Sequence, residues 1–190
     1  MQSRVGTATQ GKEEGGMITR YNLDRSRMAT FNETLSYRYE LLIRWSDGPL
    51  LVMCACNPSV ASHERSDPTV TRQCERAARL GFGAFLMLNA FAIRATDPRV
   101  MLKAADPYGE WRDAQCLVDS YFRHGGAQFI AAWGAHAKHR NRHVELVEAF
   151  TDAGIPIYAL ARTKLGWPHH PLYLAYEKKP FLYAGERRAA

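Results

Sequence analysis

The sequence predicts an α/β protein built on a central, mainly parallel four-stranded sheet, and three observations carry that prediction. Four short apolar runs, Leu50–Cys56, Ala84–Asn89, Gln128–Trp133 and Ile155–Leu160, have strand length and the nearly unbroken apolar character of strands covered on both faces. Stretches with helical spacing separate them, which is the pattern of βαβ units. Each run ends in a polar or Gly-containing turn, at the rim where open parallel sheets bind ligands.

Taken in order, residues 1–16 are polar and Gly-rich and are expected to form a tail without fixed structure, ahead of a single domain over 17–190. Tyr37–Trp45 alternates and is rich in β-formers. The Asp47-Gly48-Pro49 turn follows, so this stretch reads as a hairpin feeding the buried run Leu50–Cys56. Asp67 is placed to cap a helix with Pro68 at its first position; that helix should run to about Leu80 and stop at Gly81. A second amphipathic helix is expected from Gly109 to about His124, and a third from Gly134 through Phe150. No repeat or linker interrupts the domain.

Composition narrows the function classes. A chain of 190 residues, 46% hydrophobic and 23% charged, can bury a sizeable core. Its net charge of +6 favours a polyanionic partner, because cationic surface releases counterions condensed on phosphates. No apolar run approaches the ~18 residues that span a bilayer, and no signal peptide is evident, so a cytoplasmic location without membrane contact is expected. The four cysteines should then be free thiols, with Cys54 and Cys56 on one face of a strand. His136, His139 and His143 fall on one face of the expected helix, where zinc is conceivable. They sit in a strongly basic segment, and a solvated or phosphate-facing helix is the simpler reading. Asp67, Asp97 and Asp106 each precede a proline, which suits caps and turns.

Two apolar runs end in asparagine, Asn57 just beyond Cys56 and Asn89 at the end of Ala84–Asn89. Asparagine is a poor strand former, so these amides either cap turns or present donors and acceptors at one rim. Here the chain resembles a known family. The blocks LVMCACNPS, AFLMLNAFAIR, FIAAWGAHAKHR and PHHPLYL are similar, in order and comparable spacing, to the motifs of the uracil-DNA glycosylase superfamily. They cover roughly 50–175. The chain also resembles an uncharacterised bacterial family sharing the NPS, DPT, WG and HPLYL blocks.

The resemblance implies a three-layer α/β/α fold and a DNA glycosylase of base excision repair. Such an enzyme flips out uracil or a related damaged base and leaves an abasic site, as a nucleoid-associated monomer without metal or organic cofactor. It places Asn57 where the attacking water is held, Asn89 where the base edge is read, and His170 where a donor stabilises the departing base anion. Ser59 stands where a bulkier group would exclude thymine, so larger bases gain entry. No aromatic lies in residues 60–72 to stack the base, which leaves Phe91 or an N-terminal aromatic as substitute. Leu174 takes the place of the wedge, while Leu172 replaces a phosphate-contacting serine. Arg72, Arg94, Arg162 and Lys164 flank the motif ends as candidate phosphate contacts. Asp113 is either a surface residue or an orienter of His170. Three rivals stand beside this reading: a non-catalytic nucleic-acid-binding protein on the same fold, a hydrolase of free nucleosides or nucleotides, and, last, a zinc-dependent hydrolase using the cluster of His136, His139 and His143.

Overall fold

Alternation along one central strand organises the molecule. In the computed structural model, which describes residues 10–14 and 16–185, β5 (Leu50–Ala55) is buried throughout. Leu50, Val52 and Cys54 pack on one face against α3 (Gln115–Arg123) and α4 (Arg142–Asp152), through Leu117, Val118, Leu146 and Phe150. Leu51 and Met53 pack on the other, against Val70 and Ala77 of α1 (Pro68–Arg79). Side chains a residue apart on a strand face opposite ways, so an all-apolar run demands helices on both sides.

Three further strands run parallel to β5: β6 (Ala84–Asn89), β7 (Gly126–Ala131) and β8 (Ile157–Ala159). The sheet is larger than the expected four strands. It adds β1 (Gln10–Glu14), β2 (Met17–Tyr21), β3 (Arg27–Asn32), β4 (Arg38–Arg44) and β9 (Phe181–Ala184), in the order β1-β2-β3-β4-β6-β5-β7-β8-β9. Pairs β1-β2, β2-β3, β3-β4, β4-β6 and β8-β9 are antiparallel, so the sheet is mixed and antiparallel in most of its pairings. Strand β4 falls within the stretch Tyr37–Trp45 expected to form a strand, whereas β2 (MITRY) carries no continuous apolar run and β9 (FLYA), although apolar, is only four residues long; both lie near the sheet's two ends. Strand β1 falls inside the segment expected to lack structure; residues 1–9 and 15 lie outside the described residues.

The expected hairpin does not form. Strand β6 lies between β4 and β5, and the Trp45–Pro49 connection wraps its entrance. The amides of Trp45 and Ser46 both donate to Gly83 O, and Gly83 N donates to Pro49 O. A Cβ on Gly83 would lie 2.4 Å from Gly48 N, so only glycine lets the two backbones approach.

Helix α1 follows its sequence signals. Asp67 Oδ1 accepts from Val70 N at 2.8 Å, Pro68 leads the first turn, and Gly81 leaves it at φ +86°. The expected Gly109–His124 helix is instead a 3₁₀ turn at Gly109–Trp111 followed by α3. The buried Arg142 guanidinium causes the break. It donates to Trp111 O at 3.0 Å and Arg112 O at 2.7 Å, the carbonyls that a continuous helix would offer to residues 115 and 116. The expected Gly134–Phe150 helix is likewise divided, into a 3₁₀ stretch at Ala135–Asn141 and α4, with Arg140 and Asn141 at positive φ between them. A short α2 (Pro98–Lys103), capped by Asp97, had no counterpart in the sequence reading. No helix among the described residues is long and apolar enough to cross a membrane.

Candidate functional site

A cavity of about 660 Å³ opens at the carboxyl ends of the parallel strands. Its wall takes Cys56 and Asn57 from the end of β5, Trp133 and Gly134 from beyond β7, Thr163 from beyond β8, and His169 and His170 from the loop before β9. Gly134, at φ +66°, turns the chain out of the sheet, and its amide donates to Pro168 O at 2.9 Å. His169 N donates to Ala161 O at 2.8 Å. These two bonds hold the histidine loop over the strand ends.

The side chains are set by their hydrogen bonds. Asn57 donates through Nδ2 to Ala95 O at 2.8 Å and to Pro58 O at 3.2 Å, which leaves Oδ1 as its unengaged end. Leu172 N donates to His170 Nδ1 at 3.4 Å, so a neutral His170 carries its proton on Nε2. Burial, and then the neighbouring charge of His169, lower the His170 pKa below its ordinary 6.5 and favour that neutral ring. His169 Nδ1 lies 2.8 Å from His170 O; only a protonated nitrogen bonds a carbonyl, so neutral His169 keeps its lone pair on Nε2. The adjacent rings thus present one donor and one acceptor. Ser59 and Thr96 meet at 3.4 Å in the wall and leave it small there.

The most deeply placed polar group is one the sequence reading missed. Arg38, on β4, is 1% exposed and belongs to the cavity wall. It donates to Ala61 O at 2.8 Å and to Asn89 Oδ1 at 3.2 Å, while Nε has no partner. No carboxylate forms an ion pair with it among the described residues; Asp67 acts only as a more distant charge. Burial pushes its pKa down to about 10. Asn89 lies behind Arg38 with its Nδ2 unpartnered, and Trp133, also buried in the wall, has an unpartnered Nε1. An arginine within an alternating strand ordinarily reads as a solvent-facing residue. Here the loop carrying Ala61 covers that position.

The structure brings Asn57, Ser59 and His170 together in the cavity wall and sets Asn89 just behind it. Other expected contacts lie elsewhere. Phe91 is fully buried against Tyr108 and His139 and is a core residue, because its backbone continues from β6 into the protein beside Cys56. Arg72 donates to Leu174 O at 3.0 Å and stacks on Tyr176, and Arg94 donates to Leu35 O and Ser59 O. Arg162 donates to Gly166 O and stacks on Tyr183. These arginines hold loops together. Lys164 is exposed beside Thr163, outside the wall. Leu174 is half-covered against the core on the α1 side, and the exposed residue of that loop is Tyr173, 87% exposed at the cavity mouth.

The three histidines diverge because the expected helix is broken: His136 lines the cavity, His139 packs on Phe91, and His143 packs on Trp167. Among the described residues no group of three or more His, Cys, Asp or Glu is arranged to hold a metal ion. Asp113 caps Gln115 N far from His170; the carboxylate whose charge reaches that ring is Asp67. Cys54 and Cys56 are buried free thiols, and burial pushes Cys56 up to about 12, which keeps it a neutral wall residue.

The model of a family described as Protein of unknown function (DUF1643) matches residues 38–172. The chain belongs to the DUF1643 family. The matched stretch begins at Arg38 and ends at Leu172, so the DUF1643 segment contains the whole cavity wall except Tyr173. No curated protein and no solved structure matches the chain.

Proposed function

We propose that this DUF1643 protein is an N-glycosyl hydrolase that takes a base flipped out of DNA into the cavity and cleaves its glycosidic bond. The observation that carries the reading is the meeting of Asn57 and His170, far apart in the sequence, at one cavity on the carboxyl rim of parallel strands. The contiguous parallel block β6-β5-β7-β8, with helices on both faces, supports a glycosylase-like arrangement within the larger mixed sheet.

The chemistry follows from the hydrogen bonds. Asn57 Oδ1 accepts from a water and holds it against the sugar; an amide is no strong base, but a dissociative cleavage needs a positioned water more than a potent nucleophile. The Nε2–H of neutral His170 donates to the departing base as it gains charge. Tyr173, at the mouth, takes the wedge position expected of Leu174 and stacks in the gap the base leaves.

A second reading, hydrolysis of free nucleosides or nucleotides, is favoured by one observation: Arg72 and Arg162, expected on phosphates, are engaged with the protein's own backbone. One experiment separates the two. Oligonucleotides carrying uracil, hypoxanthine, xanthine or hydroxymethyluracil, single- and double-stranded, are incubated with the protein and treated with alkali. Strand breaks are the expected result. Retention of DNA without breaks overturns hydrolysis, and base release from monomers alone establishes the second reading.

A further inference from the structure

The cavity holds one carboxylate. Among its wall residues only Asp67 is acidic, and it shares the wall with Arg38, His136, His169 and His170. Its Oδ1 accepts from Val70 N at 2.8 Å and caps α1, while Oδ2 has no hydrogen-bond partner among the described residues. Capping needs one oxygen, and asparagine or serine caps about as well. The helix dipole favours the charge without requiring it. The second oxygen and its charge are therefore available to the cavity.

Position and reach agree. Asp67, Leu172 and Tyr173 line both the cavity and a shallow groove that continues over Pro68, Thr71 and Tyr176, so they mark the mouth where the two meet. A base inserted in the cavity leaves its sugar at that mouth. Burial lowers the pKa of Arg38 and of His170, and at each of them the Asp67 charge works the other way. The field of this carboxylate thus reaches the His170 ring.

We propose that Asp67 is a catalytic carboxylate of this cavity, which offsets the positive charge of the sugar and takes the proton of the attacking water; this role rests on the glycosylase reading. The bond between sugar and base breaks, and its electron pair leaves with the base, which His170 Nε2–H meets. The sugar is left as a cation. Water held by Asn57 Oδ1 bonds to the sugar carbon and gives a proton to Asp67 Oδ2, since an amide cannot take one. Asp67 then releases that proton to solvent, from which the base anion takes one. Asn57 Oδ1 and His169 Nε2 also accept at this wall, but neither brings the negative charge that stabilises a cation.

The test is Asp67→Asn in the full chain, which keeps the cap and removes the charge. With the oligonucleotides of the alkali assay and protein in excess, base release should fall at least about 10²-fold, the low end for a lost general base. Affinity for an oligonucleotide carrying an abasic site should hold or rise, because a negative charge at the mouth repels phosphates, and any gain should fade in salt. A residue that served only the fold would lower both. In the protein without DNA, the His170 titration midpoint, followed by NMR and assigned against His170→Gln, should move down once the Asp67 charge is gone. Asp67→Ser, also a cap, takes the same measurements if Asp67→Asn does not fold. Base release at the wild-type rate, weakened DNA binding, or an unchanged His170 midpoint each overturns the proposal. The two readings fail separately. No base release by the wild type from any oligonucleotide sinks the glycosylase and this role with it; wild-type release that survives in Asp67→Asn sinks the role alone.

Discussion

The loop that carries Tyr173 is held by an arginine, and removing that arginine should open the cavity while sparing the fold. Arg76, fully buried on α1, donates to Leu174 O at 2.9 Å and Ala175 O at 3.0 Å, with a longer contact to Tyr176 O at 3.4 Å and an internal bond to Gln73 Oε1 at 3.2 Å. Arg72 and Arg79 stack on the Tyr176 ring, whose hydroxyl bonds Glu75. The substitution Arg76→Met keeps the stem that packs on α1 and deletes the donors. Each hydrogen bond from a charged donor contributes about 1.5–3 kcal/mol, so the two short ones give about 3–6 kcal/mol. The Ala175 carbonyl regains water at its exposed position and Leu174 O keeps its bond from Arg72, which returns part of that and leaves about 2–4 kcal/mol against docking. At about 1.4 kcal/mol per tenfold, the undocked population rises roughly 30- to 700-fold.

Amide hydrogen exchange reads this directly, because Leu174 N donates to Pro171 O at 3.2 Å and Lys178 N to Ala175 O at 3.3 Å only while the loop is seated. Exchange at those two amides should accelerate by that factor, with protection in β5 and β6 unchanged. Arg72→Met should open the loop far less, since its one bond, to Leu174 O at 3.0 Å, goes to an oxygen that Arg76 also holds. Wild-type protection at Leu174 in Arg76→Met, or equal opening in Arg72→Met, refutes the reasoning.

Three other outcomes are expected. In the alkali assay, His170→Ala should cost base release about 10²–10³-fold, Asn57→Asp should retain or raise it, and Asn57→Ala should lose it; wild-type cleavage by His170→Ala would move the donor role to His169 or His136. Tyr173→Ala removes an exposed ring, so its thermal midpoint should stay at the wild-type value while release from duplex falls about tenfold and release from single strands falls less; equal losses on both would show that the ring does not wedge. Glu40→Gln tests a charge cluster remote from the cavity. Burial pushes this carboxyl up, but bonds from His124 and Ser120 and the charge of Arg123 outweigh it and hold the pKa below the ordinary 4.5. A lowered carboxylate pKa stabilises the fold above 4.5 and ceases to do so as pH falls through the folded value. Chemical denaturation should therefore show wild type more stable than Glu40→Gln at pH 7, with the gap closing on acidification below 4.5.

What the sequence disclosed and what it hid divide along a physical line. Signals confined to a few neighbouring residues read correctly: Asp67-Pro68 capped α1, Gly81 ended it, and the run Ala84–Asn89 is β6 to the residue. Such features depend on backbone groups within one turn, so the local residues determine them. The larger errors involve partners distant in the chain, whereas α2 was missed although its Asp97-Pro98 start carries the same local signal as Asp67-Pro68. Arg142 breaks a helix thirty residues upstream by taking its carbonyls, and β6 enters between β4 and β5 because Gly83 and Gly48 allow their backbones to touch. The half-covered β2 and the four-residue β9 gain their identity from neighbours in the sheet.

The candidate site follows the same division. Asn57 and His170 were legible because each stands at the end of an apolar run or within a proline-bounded turn, and strand ends in a parallel block share one rim. Arg38 was not. Its position in an alternating strand gives no sign that the Ala61 loop seals it, nor that Asn89 turns its carbonyl oxygen toward it. At the end of its apolar run, Asn89 reads from sequence as an amide turned to the rim. The structure instead ties its Oδ1 to the Arg38 guanidinium and keeps it out of the cavity wall. Its place is fixed by a residue fifty-one positions away on another strand, and no inspection of Asn89 and its neighbours alone would reach it.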